Sequence, residues 1–341
     1  VYTIRGLYDL ADMARSKGDK ATANWAEDKA RGMRNRFEAA WWFGRQGATQ
    51  YADSLDDPGN KQVFQRHWIG VTPMDVDLID GAGRTIPGLA SHPHGKAAIA
   101  ERELACYTDR FGMYHTGTGP TVEGVEVTRP FCDSHESEVP AERNIFTLNT
   151  AIMAVGEGNY GRLGGDQQRH YTDANADLQL IPDEQPGAMP EIAPSPDYGR
   201  SINKPFNERA MVLQAWGAYG TIWPVVHQQL GVRPDMGRDE LTVVPQVPPG
   251  SPGLSGKNIR VGSGSVSVSA DHDGSTYTTK VTTELEVGLT IGHTLPRRAK
   301  VGSVRLNGEI TNYKVRTTHR GEEVLVAAPT TGGQTLVVRT R

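Results

Sequence analysis

Pro245-Gln246-Val247-Pro248-Pro249-Gly250-Ser251-Pro252-Gly253 separates two chemically different halves of the 341-residue chain. Its prolines have no amide hydrogen and a fixed φ, so no helix runs through it. All six tryptophans and every long helix-period pattern lie upstream. From about Val243 onward, Val, Thr, Ser and Gly follow one another in short alternating runs. A chain of this length accommodates roughly two or three domains. The composition places one domain at 1–240 and a second at 241–341.

Working back from the joint, Ile4, Leu7, Leu10, Ala11 and Ala14 recur at helical spacing until Gly18. A second helix carries Trp25, Met33, Phe37 and Trp41 on one face. Further helices are expected at Lys96–Arg110, Ile145–Tyr160, Asp166–Leu180 and Ala210–Leu230. Long Gly/Pro-rich segments at 43–66, 112–143 and 182–208 join them. Irregular loops of that length are uncommon in packed domains and mostly functional. Helices alternating with elaborate loops predict a helical toroid with its site built from loops at one end.

Working forward, Val266 and Val268 alternate with serines, and Leu285, Val287, Leu289 and Ile291 with polar or small residues. Val304-Arg305-Leu306 followed by Asn307-Gly308 is a hairpin signal, because Asn-Gly suits the turn that matches strand twist. Regular short strands of this kind predict an antiparallel β-sandwich or barrel. The fold class expected is α+β and multidomain: a partial (α/α)6 helical toroid followed by an antiparallel β-sandwich.

The formal net charge of −4 and the lack of any Lys/Arg-rich run argue against nucleic acid as a partner. No stretch approaches the length of apolar residues that a membrane span needs. No phosphate-cradling glycine loop, dinucleotide fingerprint or nucleophile elbow stands in its required strand–turn–helix setting. Kinases, dehydrogenases and Ser-His-Asp hydrolases are disfavoured accordingly, and no cofactor is implied.

Four clusters carry chemistry. Pro186-Gly187-Ala188-Met189-Pro190-Glu191-Ile192-Ala193-Pro194-Ser195-Pro196 presents Glu191 on a proline-stiffened loop, with Asp183 and Glu184 just upstream. A carboxylate fixed in this way can activate water in glycoside hydrolysis. By residue type alone an ordinary solvated side chain is the commoner case, because exposed carboxylates far outnumber catalytic ones. Gln214-Ala215-Trp216 can hold a sugar hydroxyl and stack a sugar ring, although Trp216, Tyr219 and Trp223 at helical spacing also read as core. Tyr114-His115-Thr116-Gly117-Thr118-Gly119 offers a hydroxyl donor on a close-approaching backbone, without the companion spacing that zinc needs. Gln65-Arg66-His67-Trp68 supplies Arg66 and Trp68 after an acidic turn, Asp56-Asp57-Pro58-Gly59-Asn60.

In this order the clusters resemble the later half of the (α/α)6-barrel glycoside hydrolases, in particular glycogen-debranching (amylo-α-1,6-glucosidase-like) proteins and their α-glucosidase and trehalase relatives. Tyr114–Thr118 matches the family's Tyr-His-x-Gly-Thr loop, Pro190-Glu191 its Pro-Glu segment, and Gln214-Ala215-Trp216 the opening of its final barrel helix. Leu230-Gly231-Val232-Arg233-Pro234-Asp235 is similar to its exit into a β domain. The resemblance spans about residues 1–250. It implies inverting hydrolysis by two carboxyl groups, with Glu191 as general base, Glu184 as the alternative, and the general acid in a segment before Val1. One departure stands out: Gly119-Pro120-Thr121 leads into an insertion of about twenty residues, which would reshape the pocket.

The function expected is therefore hydrolysis of an α-glucan or related α-glycoside by an oligo- or polysaccharide-binding toroid. Trp68, Arg66, Tyr114, His115, Gln214 and Trp216 contact the sugar. Two rivals remain: a toroid polysaccharide lyase, with Tyr114-His115 as its chemistry, and a non-catalytic carbohydrate-binding or scaffold protein. Only about half a toroid is present, so a preceding segment or a partner subunit is expected to cover its open edge. Cys106 and Cys132 bracket the Tyr114–Thr118 loop. A disulfide between them would contribute about 3 kcal/mol and suit a secreted rather than a cytoplasmic protein.

Overall fold

The structure, a computed structural model, describes the chain except residues 45–48, 57–58, 60, 65–67, 81–82, 116–121, 124–143, 181–186, 188, 194–213 and 331. It divides into two units: 1–160 with 166–221, and 161–165 with 222–341.

In the first unit, α1 (Tyr2–Ser16) and α2 (Lys20–Trp41) form a helical hairpin. Gly18 adopts φ 78° between them, and the Asp19 carboxylate accepts from the Thr22 amide at 3.0 Å to cap α2. α1 buries Ile4, Tyr8, Ala11 and Ala14, whereas Leu10 is exposed. α2 buries Ala23, Ala26, Ala30 and Phe37. Of the expected apolar face, Phe37 is buried and Met33 and Trp41 pack against the core, whereas Trp25 points the other way and is 53% exposed. Small side chains let the α2 backbone approach its neighbour closely, and Trp25 falls on the far side of the helix.

α3 (Thr72–Asp75) is a single buried turn, and α4 (His92–Arg102) follows. The α4 helix starts four residues before the expected Lys96, because Pro93 is pre-set for a first turn. It stops at Arg102, and a tight hairpin, Thr108–Asp109 against Gly112–Met113, replaces the expected helical end. α5 (Thr147–Asn159) buries every residue except Leu148 and is the centre of the unit. Its alanines and glycines make burial on all sides sterically possible. α6 (Gln168–Leu178) packs one face against it. α7 (Ala215–Trp223) continues into a π-helical turn at Pro224–Gln229, where the proline removes one helical hydrogen bond. The helices share a core built from Ile4, Phe37, Tyr51, Met74, Ile99, Ile152 and Tyr171. The strands among these helices are two to four residues long.

The second unit contains two sheets. Its strands are β1 (Val232–Asp235), β2 (Glu240–Val243), β3 (Gly253–Val261), β4 (Gly264–Asp273), β5 (Thr276–Thr283) and β6 (Gly288–Leu295), then β7 (Val301–Leu306), β8 (Glu309–Ile310), β9 (Lys314–Thr317), β10 (Glu322–Ala328) and β11 (Gly332–Thr340). One sheet has the order β1-β2-β6-β10-β9 and the other β3-β4-β5-β11-β7-β8. β1 and β2 belong to the first of these sheets, so the strand unit begins before the expected residue 240. β2 pairs parallel with β6, Leu241 opposite Leu289, a departure from the all-antiparallel expectation. Parallel neighbours need a crossover, and the hairpin strands of the other sheet provide it. Val266, Val268 and Val338 of one sheet share an apolar core with Leu289, Ile291 and Val326 of the other. Asn307 and Gly308 take φ 52° and 89°, as a two-residue hairpin turn requires.

Candidate functional site

Three segments far apart in sequence meet at the head of α5. The first is 112–115. Met113 donates its amide to Thr150 Oγ1 at 2.9 Å, and Asn149 Nδ2 donates to the Tyr114 carbonyl at 2.6 Å. The His115 amide donates to the Asn144 carbonyl at 2.9 Å. Gly112 lies in the left-handed region (φ 124°), and a Cβ there would fall 2.5 Å from Thr150 Oγ1, so only glycine permits this approach.

The second segment is 189–193. Ile192 and Ala193 form a two-residue ladder with Phe146 and Ile145. The Thr147 hydroxyl donates to the Pro190 carbonyl at 2.6 Å, and its amide donates to the Glu191 carbonyl at 3.1 Å. The amide belongs to the first turn of α5, whose N–H groups have no partner within the helix and must find one outside it. Glu191 is half-buried, and its carboxylate makes no hydrogen bond or ion pair among the described residues.

The third segment is 214–217. The Gln214 amide donates to the Met189 carbonyl at 2.8 Å. A Cβ on Gly217 would lie 2.5 Å from Met189 and 2.7 Å from Thr147 Oγ1, so α7 starts flush against both.

Phe146 is the aromatic hub of this region. Its ring centroid lies 5.1 Å from His115 and 6.3 Å from Trp216, the latter edge-on. Trp216 is 40% exposed and His115 half-buried. Burial pushes the His115 imidazolium down from its ordinary range, which leaves the ring neutral near pH 7. Tyr114, expected to line a sugar pocket, is only 2% exposed and packs with Ile145, Leu178 and Ala193. Its backbone belongs to the site and its ring to the core.

Trp68 opens a 3₁₀ turn, Trp68–Val71, and its side chain lies outside the described residues. Arg66, Asp183 and Glu184 lie outside the described residues, as does Cys132. Cys106 is disulfide-bonded. Asp53, upstream of the acidic turn, is paired with Arg102 at 3.3 Å, both fully buried, and so serves the core. Among the described residues no group of three or more His, Cys, Asp or Glu comes together to hold a metal ion, and no helix is long and apolar enough to cross a membrane.

Phe146, Thr147 and Asn175 are the site residues that sequence reasoning missed. The one signal for Phe146 was its place just ahead of a strongly apolar helix.

No family model matches the chain, and no curated protein matches it by sequence. Among solved structures, a sialidase is similar with a TM-score of 0.56 at 11% identity, over 86% of this chain and 25% of the sialidase. An α-L-rhamnosidase from Streptomyces avermitilis scores 0.47 at 13% identity, over 99% of this chain and 26% of its own. An α-L-rhamnosidase from Dictyoglumus thermophilum scores 0.46 at 10% identity, over 98% and 31%. The chain thus spans between a quarter and a third of these proteins' length. The two rhamnosidase scores carry no weight, and the sialidase likeness speaks for fold alone.

Proposed function

We propose that this chain is part of a glycoside hydrolase in which Glu191 activates the attacking water. The observation that carries the reading is the mounting of Glu191. Its main chain is fixed at the head of α5, its carboxylate is without a partner among the described residues, and it shares that location with His115, Phe146 and Trp216. A half-buried carboxylate with no committed partner is available to accept a proton from water. Trp216 and Phe146 supply apolar ring surface of the kind on which sugar rings stack, and Gln214, His115, Trp68 and Arg66 add contacts to hydroxyl groups.

In this reading the helical unit is part of an (α/α)6 toroid and the strand unit a β-sandwich. The enzyme is related to the glycogen-debranching type, and its substrate is an α-glucan or similar α-glycoside. A second carboxyl group protonates the leaving oxygen. The two act on opposite sides of the bond, so the product has inverted configuration. The disulfide at Cys106 supports secretion.

Proton NMR of freshly hydrolysed glycosides tests the mechanism. Using the full-length protein on α-linked glucosides and glucan oligosaccharides, the first sugar formed is expected as the β-anomer. First formation of the α-anomer would mean retention and would remove Glu191 from the role of water activator.

A further inference from the structure

Thr147 and Asn175 tie two of the three site segments, 189–193 and 214–217, to the head of α5. Thr147 is fully buried and uses every polar group it has. Its hydroxyl donates to Pro190 O (2.6 Å) and its amide to Glu191 O (3.1 Å). Its carbonyl accepts from Asn175 Nδ2 at 3.1 Å. The second hydrogen of that same amide nitrogen goes to the Gly217 carbonyl, also at 3.1 Å. Asn175 is itself 0% exposed, in the middle of α6. One side-chain amide therefore joins the first turn of α5 to the first turn of α7. One threonine joins α5 to the loop that carries Glu191.

We propose that Thr147 and Asn175 are positioning residues that hold Glu191 and Trp216 in a fixed mutual relation. This rests on the reading of Glu191 given above. The physical case lies in what the alternatives would cost. The Pro190, Thr147 and Gly217 carbonyls are spoken for by side chains in a dry interior, where an unpaired polar group is expensive. A shift of the Glu191 loop against α7 would leave the Pro190 carbonyl or a hydrogen of the buried Asn175 amide without its partner. Steric packing acts in the same direction. Gly217 is pressed against Met189 and Thr147, and Gly220, one turn on, against the Ala151 backbone. The segment 189–193 is thus held by hydrogen bonds along one side of α5 and wedged by α7 on the other. Only the Glu191 side chain is left uncommitted, which is the arrangement that a general base requires if its distance to water is to be reproducible.

Two variants separate positioning from folding. Thr147→Val keeps the shape and the backbone amide but removes the hydroxyl, and Thr147→Ser keeps the hydroxyl and removes a methyl. In the full-length protein, hydrogen exchange of peptides covering 189–193 and 214–217 is read by mass spectrometry. Both peptides are expected to exchange about tenfold faster or more in Thr147→Val and at the wild-type rate in Thr147→Ser. On 4-nitrophenyl α-glucoside, kcat should fall about tenfold to a hundredfold in Thr147→Val with KM within about twofold, and recover in Thr147→Ser. Unchanged exchange at 189–193 in Thr147→Val overturns the proposal whatever the activity. Faster exchange in Thr147→Val, together with a wild-type protein that hydrolyses no glycoside, would leave the clamp standing and remove the catalytic reading of Glu191. Equal loss in the valine and serine variants would show that packing, and not the hydroxyl, does the holding, and would also overturn it.

Discussion

His293 lies on the inner face of β6 and is fully buried. Thr279 Oγ1 donates to the Gly292 carbonyl at 2.8 Å and sits 2.9 Å from His293 Nδ1. The hydroxyl has one proton, so Nδ1 must carry the hydrogen of the second contact. Nε2 is then a bare lone pair in the core, and it has no partner among the described residues. Burial, helped by repulsion from His272, pushes this imidazole down to about 3 from 6.5. Between those values the unfolded chain binds a proton that the folded one does not, so stability rises with pH there. The contribution is complete above pH 6.5 and is lost as pH falls toward 3, by up to about 4–5 kcal/mol. Urea midpoints of the protein at pH 7 and pH 4 should therefore differ markedly, and His293→Leu should flatten the difference. A variant with the wild-type pH dependence would place the acid sensitivity elsewhere. No residue near His293 in sequence signals this environment, because the alternation along Gly288–Leu295 shows only that its face is inward.

At the scale of elements, the α5–α7 contact depends on glycine. A Cβ on Gly220 would fall 2.3 Å from the Ala151 Cα, which is backbone and cannot rotate away. Gly220→Ala is expected to destabilise the helical unit by about 2–3 kcal/mol and to part α7 from α5. An unchanged urea midpoint would mean that the helices are not in such close contact. The helices were legible where periodicity was clean: α1, α5 and α6 lie within a few residues of their expected spans. At α2, periodicity placed Met33, Phe37 and Trp41 correctly and misled only for the exposed Trp25, while Ala23, Ala26 and Ala30 complete the buried face. It also missed the π-helical turn at Pro224, because a proline within an apolar helical run looks the same whether it ends the helix or widens it. The candidate site was legible as pieces. Glu191, His115 and Trp216 each lay in a segment with its own signal. Their meeting at α5 was not legible, because the ties are main-chain carbonyls of Pro190, Glu191 and Gly217 bonded to Thr147 and Asn175. Any residue has such a carbonyl, so no residue type announces it.

At the scale of the molecule, the chain pairs a helical unit carrying the candidate site with a strand unit whose two sheets share one core. The composition changes near residue 240, whereas the strand unit includes β1 and β2, two short strands that join a sheet whose last strand, β10, ends at Ala328. Its likeness in fold to a sialidase covers only a quarter of that protein. Under the proposed function Glu191 has the role of activating water. Its most direct test compares the full-length protein with Glu191→Gln, in hydrolysis of α-linked glucosides and in calorimetric binding of a glucan oligosaccharide. The amide keeps the shape of the side chain but cannot accept the proton, so turnover should fall about a thousandfold while binding stays within about threefold. A Glu191→Gln protein that keeps most of its turnover would contradict the account and move the search for the base to Glu184 or Asp183.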